Sequence, residues 1–265
     1  MNQHHLTSAY HVEILPPKQE TEKLYEDLDR FAQKYKRVME SGYCACITDN
    51  AMGNLAFQGT EMIEELHLPA LENQVMIHLN TFHTKDDLHR ILDACRNSGI
   101  RQLLVITGDG SDRLPRLTPS DVGADGVEAV TSVELLRYID RAYPGDFDLG
   151  VAFNPYEPED HEFAKLDRKI AAGASFAITQ PVIERHPVVD RLLAEYPDFP
   201  VVVEAWMSKK LSLLSEAVGY EIPQDAAYDP IENLKTLHRN YPRCEVYLSI
   251  LGFKTQYDLL QHVRN

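Results

Sequence analysis

Apolar residues come in short runs separated by longer amphipathic stretches, and the two patterns alternate from one end of the chain to the other. His11–Leu15 (HVEIL) reads as a strand stopped by Pro16 and Pro17. Glu20–Met39 then carries Leu24, Leu28, Phe31, Tyr35 and Val38 at three- and four-residue steps, a helical stripe. Tyr43–Thr48 is a second strand, Thr60–Leu66 a short helix and Gln74–Asn80 a third strand. Thr84–Ser98 is a helix with Thr84 as its N-cap, Asp86 and Asp87 in its first turn and Gly99 beyond its end. Strands follow at Gln102–Thr107, Leu149–Phe153, Ser175–Thr179, Val201–Glu204 and Glu245–Ser249. The intervening helices are Ser132–Ala142, Asp160–Ala172, Val188–Glu195, Lys209–Val218 and Ile231–Asn240, with Thr255–Val263 last.

Near-continuous apolar strands alternating with helices indicate a parallel sheet covered by helices. Eight such units over 265 residues, with no GxGxxG turn and no polar linker, predict an α/β protein built as a single (β/α)8 TIM-type barrel over residues 1–265. A doubly wound sheet is the alternative. Leu114–Gly126 (LPRLTPSDVGADG) has turn chemistry throughout and is expected to be a long loop after the fourth strand.

Composition narrows the classes. Lys and Arg number 26 against 41 Asp and Glu, a formal charge of −15, which disfavours general binding to nucleic acid or acidic lipid but leaves room for an anionic small ligand in a locally positive pocket. No apolar run approaches a membrane span, and the first residues lack the basic-then-apolar order of a signal peptide. Four cysteines are too few for a disulfide scaffold, and a reducing cytoplasm is the expected location. Cys44 and Cys46 share one face of a strand without the spacing of a zinc CxxC, so buried free thiols and no metal site are expected.

In a barrel of this kind chemistry belongs at the C-terminal strand ends. The polar residues there are Glu13, Thr48-Asp49-Asn50, His78, Thr107-Gly108-Asp109, Asn154, Thr179-Gln180 and Glu204. Each also has a structural account: Glu13 as half of a salt bridge, Asp109 as a turn residue, Gln180 as a loop anchor, His78 as a satisfied core histidine. Taken with their surroundings, four segments resemble the methylenetetrahydrofolate reductase family: VEILPPK at Glu13, IHLN at His78, GIRQLLVITGD at Asp109 and LDRKIAAGASFAITQ ending at Gln180. The final VYLSILGFKTQYDLLQHV resembles the last strand and helix of that family's barrel.

The resemblance implies a barrel carrying FAD, in which reduced flavin passes hydride to 5,10-methylenetetrahydrofolate and NADH or NADPH reloads it. It implies Glu13 as the acid that helps open the folate ring, Asp109 beside flavin and pterin, and Gln180 on the folate. Thr48, His78, Gly108, Ala152, Asn154, Arg168 and Lys169 fall at flavin-contacting positions, and Arg113 and Arg116 are further cations for a pyrophosphate. A homo-oligomer or an electron-donating partner subunit is compatible with it.

The sequence also departs from the family pattern. Thr107 stands where an arginine is usual, and Asn154 where a tyrosine is expected, with Tyr156 and His161 as candidate replacements. Asp49 takes an aromatic position and adds negative charge near the ligand mouth. VVVEAWMSKK replaces a proline-rich seventh-strand segment, making Trp206 or Met207 candidates to stack on the folate and Lys209 a candidate for its anionic tail. Two readings therefore stand: a divergent reductase, using FAD or taking hydride directly from nicotinamide, and a flavin-free folate-binding barrel serving methyl transfer or a partner.

Overall fold

The computed structural model describes residues 10–263. Its strands are β1 (Tyr10–Ile14), β2 (Cys44–Ile47), β3 (Val75–Leu79), β4 (Gln102–Val105), β5 (Asp148–Phe153), β6 (Ala174–Pro181), β7 (Val201–Trp206) and β8 (Glu245–Ser249). They pair in chain order, all parallel, and β1 closes on β8 through Tyr10↔Val246, His11↔Tyr247 and Val12↔Leu248. The doubly wound alternative is excluded by that closure.

Side chains alternate across each strand, so each contributes to two cores. Tyr10, Val12 and Ile14 of β1, Val75, Ile77 and Leu79 of β3, and Val201 and Val203 of β7 pack outward against the helices. Cys44, Cys46, Met76, Leu104, Phe176, Ile178, Val202 and Tyr247 fill the interior. Gly150 makes room there: a Cβ at this position would come within 2.2 Å of the Phe176 ring.

The helices follow their sequence signals closely. They are α1 (Leu24–Glu40), α2 (Gly59–Glu65), α3 (Lys85–Asn97), α4 (Pro119–Val122), α5 (Ser132–Ala142), α6 (Glu159–Ala171), α7 (Pro187–Glu195), α8 (Leu211–Val218), α9 (Pro230–Asn240) and α10 (Leu260–Val263). α1 buries Phe31, Tyr35, Val38 and Met39, the predicted stripe. Thr84 caps α3 by accepting the Asp87 N–H at 3.1 Å, and Thr131 with Glu134 forms a capping box on α5.

Two expectations need correction. The Leu114–Gly126 segment is not all loop. Thr118, Pro119 and Asp121 start α4 with a capping box and Gly123 ends it in the left-handed conformation, signals that the density of turn residues concealed. The last predicted helix is a 3-10 turn (Tyr257–Leu259) running into α10. Among the described residues no helix is long and apolar enough to cross a membrane.

Candidate functional site

The inward faces of the strands end, at the C-terminal mouth, in a ring of polar groups. β1 contributes Glu13, β3 His78, β7 Glu204 and β8 Tyr247 and Ser249, with Gln180 at the end of β6. Glu13 Oε2 accepts the Ile250 N–H at 2.8 Å. Burial nevertheless raises its pKa, against the Ile250 N–H and the Tyr247 hydroxyl, which favour the carboxylate. Glu204 is pushed up to about 8 by burial and by the nearby Glu13, against a hydrogen bond from Ser249. The mouth therefore holds two carboxyl groups biased toward their neutral, proton-donating forms. Glu204 is visible in the sequence as a polar strand-end residue, but only barrel closure through β8 brings it to Glu13.

His78 faces the same space. Burial lowers its pKa to about 4, with Asp49 opposing, so the ring is neutral. Its Nε2 is buried without a hydrogen-bond partner among the described residues. The satisfied core histidine considered for this position does not describe it, because that nitrogen lacks a partner among the described residues.

The rim is organised by a residue whose role the sequence does not reveal. Asp49 is buried and accepts hydrogen bonds from the Asn80 N–H (2.9 Å), from His83 Nε2 (2.7 Å) and from the Asn50 amide (3.1 Å). Its charge is spent inside the loops after β2 and β3, not offered to a ligand. Gly108 lies against Asn80 at φ +85°, where a Cβ would stand 2.8 Å from the Asn80 Cβ. Asp109 is exposed and accepts the Met52 N–H at 3.0 Å, latching the loops after β2 and β4 together.

The positions assigned to a flavin by resemblance divide into two groups. Thr48, His78, Gly108 and Ala152 lie at the ends or inner faces of β2–β5, where a planar ring would rest. The pyrophosphate side is different. Lys169 is buried and donates to the Ala152 carbonyl at 2.6 Å, and its pKa falls to about 8 through burial. Asn154 accepts the Tyr156 N–H at 3.0 Å within its own turn, and Tyr156 donates to the Pro181 carbonyl at 2.6 Å. Arg113 is paired with Glu20, and Arg116 lies over the Phe82 ring. Arg168 remains exposed and, with Thr107, Arg137, Lys165 and Lys169, lines a cleft of about 460 Å³ beside α5 and α6. On that side Lys169 Nζ and Asn154 Oδ1 are engaged within the protein, while Arg168, Arg137 and Lys165 keep cations along the cleft.

On the substrate side, Trp206 is buried among Leu211, Leu214, Val218 and Tyr228, a packing role, although its Nε1 has no partner among the described residues. Met207 is buried in the outer core, not at the mouth. Lys209 is exposed on a cleft of about 530 Å³ with Met207, Ile250 and Gln256.

The protein is a closed parallel barrel whose C-terminal mouth, where barrels of this class place their sites, carries two carboxyls of raised pKa and an imidazole nitrogen without a partner among the described residues. The sequence model of the methylenetetrahydrofolate reductase family matches residues 1–235, and the chain belongs to that family. The match ends before β8, the strand that supplies Tyr247. Among solved structures, a protein from Clostridium thermocellum described as binding two copies of 5-methyl-5,6,7,8-tetrahydrofolic acid superposes with a TM-score of 0.58 at 14% identity, covering 92% of this chain and 90% of that one. A D-allulose 3-epimerase from a Methylomonas species matches with a TM-score of 0.47 at 12% identity, covering 94% and 89%. At these identities the likeness concerns the fold.

Proposed function

We propose that this protein binds a reduced folate at the barrel mouth and reduces 5,10-methylenetetrahydrofolate to 5-methyltetrahydrofolate, with NADH or NADPH as the source of hydride. The observation that carries this reading is Glu13, an inward-facing carboxyl whose pKa is raised by burial, at the head of a strand in a family of folate reductases. The substrate is a cyclic aminal. Glu13 donates its proton to the ring nitrogen that departs, the carbon–nitrogen bond breaks, and an exocyclic iminium forms on the other nitrogen. A hydride, two electrons with one proton, then converts that iminium to the methyl amine. Glu204, its pKa pushed up to about 8, holds a second proton beside Glu13 and keeps negative charge out of the pocket. Gln180 orients the pterin by hydrogen bonding, Asp109 lies at its edge, and Lys209 meets the anionic tail.

FAD, where bound, supplies a relay for the two electrons between nicotinamide and folate, held at its ring by Thr48, His78, Gly108 and Ala152. The commitment of Lys169 and Asn154 to protein partners favours direct transfer from nicotinamide over that relay. The same observation keeps the second reading in play, a folate-binding barrel without redox chemistry.

The deciding experiment combines the visible spectrum of the purified protein, before and after loading with FAD and removing the excess, with a nicotinamide oxidation assay on methylenetetrahydrofolate. Turnover by a colourless protein is the expected result. Turnover only with a flavin spectrum that bleaches with NADH or NADPH restores the FAD reading. Folate binding with no nicotinamide oxidation under either condition overturns the reductase.

A further inference from the structure

The interior of the barrel has a second polar cluster below the mouth that folate chemistry does not use. His11 and Cys44 are register partners on β1 and β2, and Cys46 follows on the same inner face. His11, Cys44 and Cys46 are all fully buried. Cys46 Sγ lies 3.9 Å from Cys44 Sγ and 3.9 Å from His11 Nδ1, and the ligand atoms of the three residues all fall within 4.8 Å of one another. The other imidazole nitrogen, Nε2, is held by the Glu245 carboxylate at 2.5 Å.

We infer that this cluster is a binding site for a thiophilic divalent metal ion of the zinc class, ligated by His11 Nδ1, Cys44 Sγ and Cys46 Sγ.

Four observations converge on it. A tetrahedral ion with metal–sulfur bonds near 2.3 Å and a metal–nitrogen bond near 2.0 Å places its sulfurs about 3.8 Å apart and sulfur from nitrogen about 3.6 Å. The two separations from Cys46 Sγ, both 3.9 Å, meet those values with shifts of a few tenths of an ångström, and His11 and Cys44 lie within 4.8 Å of each other. Two thiolates and an imidazole are the soft donor set that selects such an ion over magnesium or calcium. A carboxylate on the far nitrogen of a ligating histidine is the usual outer support, because it fixes which nitrogen faces the metal. Finally, Gln102 is buried with Oε1 3.6 Å from Cys44 Sγ, so a carbonyl oxygen can take the fourth position.

The competing assignments fit less well. A disulfide between strand residues two apart must span Cα atoms about 6.6 Å apart, at the far end of what that bond tolerates. Plain packing leaves unexplained why a barrel floor made of Met76, Leu104 and Phe176 also holds a histidine, a carboxylate and two thiols. The charges balance with the ion in place: two protons leave the cluster for solvent on binding, so that two thiolates neutralise the divalent cation and His11 ligates as neutral imidazole with its remaining proton on Nε2 toward Glu245. Because none of the three ligands reaches solvent, the ion enters during folding.

The test uses the full chain. Protein purified from zinc-supplemented cells is assayed for metal after desalting, then unfolded in guanidinium with a chromogenic zinc chelator present. The expected result is about one zinc per chain, released only on unfolding. Refolding with Co²⁺ in place of zinc is expected to produce intense thiolate-to-cobalt absorption. Cys44→Ser and Cys46→Ser are expected to lower bound metal at least tenfold, while Cys95→Ser and Cys244→Ser retain it. Folded, metal-free wild-type protein after refolding with excess zinc overturns the proposal, as does full zinc content in the Cys44→Ser/Cys46→Ser double variant. Should the serine variants fail to fold, the cobalt spectrum of the wild type decides: absence of thiolate-to-cobalt bands refutes the site.

Discussion

At the floor of the barrel β1 and β8 contribute His11 and Glu245, an imidazole and a carboxylate 2.5 Å apart. Two residues further along, the same strands contribute Glu13 and Tyr247, and β7 adds Glu204. The floor matches opposite charges and excludes water. There His11 is raised above its usual range, burial being outweighed by Cys44 and Glu245, and Cys44 is lowered by Cys46 and His11 despite its own burial. The mouth does the reverse. It sets two acids near one another, and burial above all raises both carboxyl pKa values, with Glu13 adding to the rise at Glu204. The charged groups of the floor face one another, whereas the buried acids of the mouth hold protons that a ligand can take.

The largest test of this contrast is Glu13→Gln. Methylenetetrahydrofolate reduction is expected to fall by about 10²–10⁴-fold in kcat, with folate affinity changed only a few-fold, as read by steady-state kinetics and equilibrium binding. Loss of folding instead would move Glu13 from the chemistry to the scaffold.

Asp49→Ala asks whether the rim depends on its own matched pair. Removing one partner from the buried Asp49–His83 contact is expected to destabilise the protein by about 3–5 kcal/mol in urea unfolding. An effect below 1 kcal/mol would mean that the loop network is dispensable.

Glu204→Gln tests the mismatch itself. The folded-state pKa of Glu204 is raised from 4.5 to about 8, so its protonated form is favoured on folding. That contribution is complete below pH 4.5 and is lost as pH rises through about 8. The glutamine variant is therefore expected to be more stable than the parent at pH 9, by about 1–3 kcal/mol, and no more stable at pH 4. Equal melting temperatures at both values of pH would place Glu204 in water.

Lys209→Ala should have the smallest effect. An exposed cation meeting an anionic tail contributes about 0.2–1 kcal/mol, so KM for a folate carrying several glutamates is expected to rise up to about five-fold, with kcat unchanged. The change should disappear at high salt.

Much of this architecture was legible before any coordinates. The eight strands and their helices followed from periodicity because each strand buries both faces and each helix one stripe. Glu13, His78, Gly108 and Gln180 were legible as strand-end residues. The assignments that failed did so for local reasons. The capping box of α4 was hidden by its turn-rich surroundings, and Asp49 read as negative charge near the ligand mouth because its partners Asn80 and His83 sit on the next strand's loop. Lys169 falls at a position that contacts the cofactor in the family, and its donation to the Ala152 carbonyl is a contact that no local pattern shows.

The sequence by itself determined the barrel and the place of Glu13 at the end of its first strand, since both rest on periods of two and of three to four residues that the chain carries locally. Only the tertiary structure decided which polar groups meet. His11 and Glu245 are 234 residues apart in the chain, and Glu204 reaches Glu13 only across β8. Contacts of that kind are set by barrel closure and strand register, which no local pattern encodes. That is why two cysteines read as ordinary buried thiols stand, in the folded protein, beside a histidine that makes them a candidate metal site.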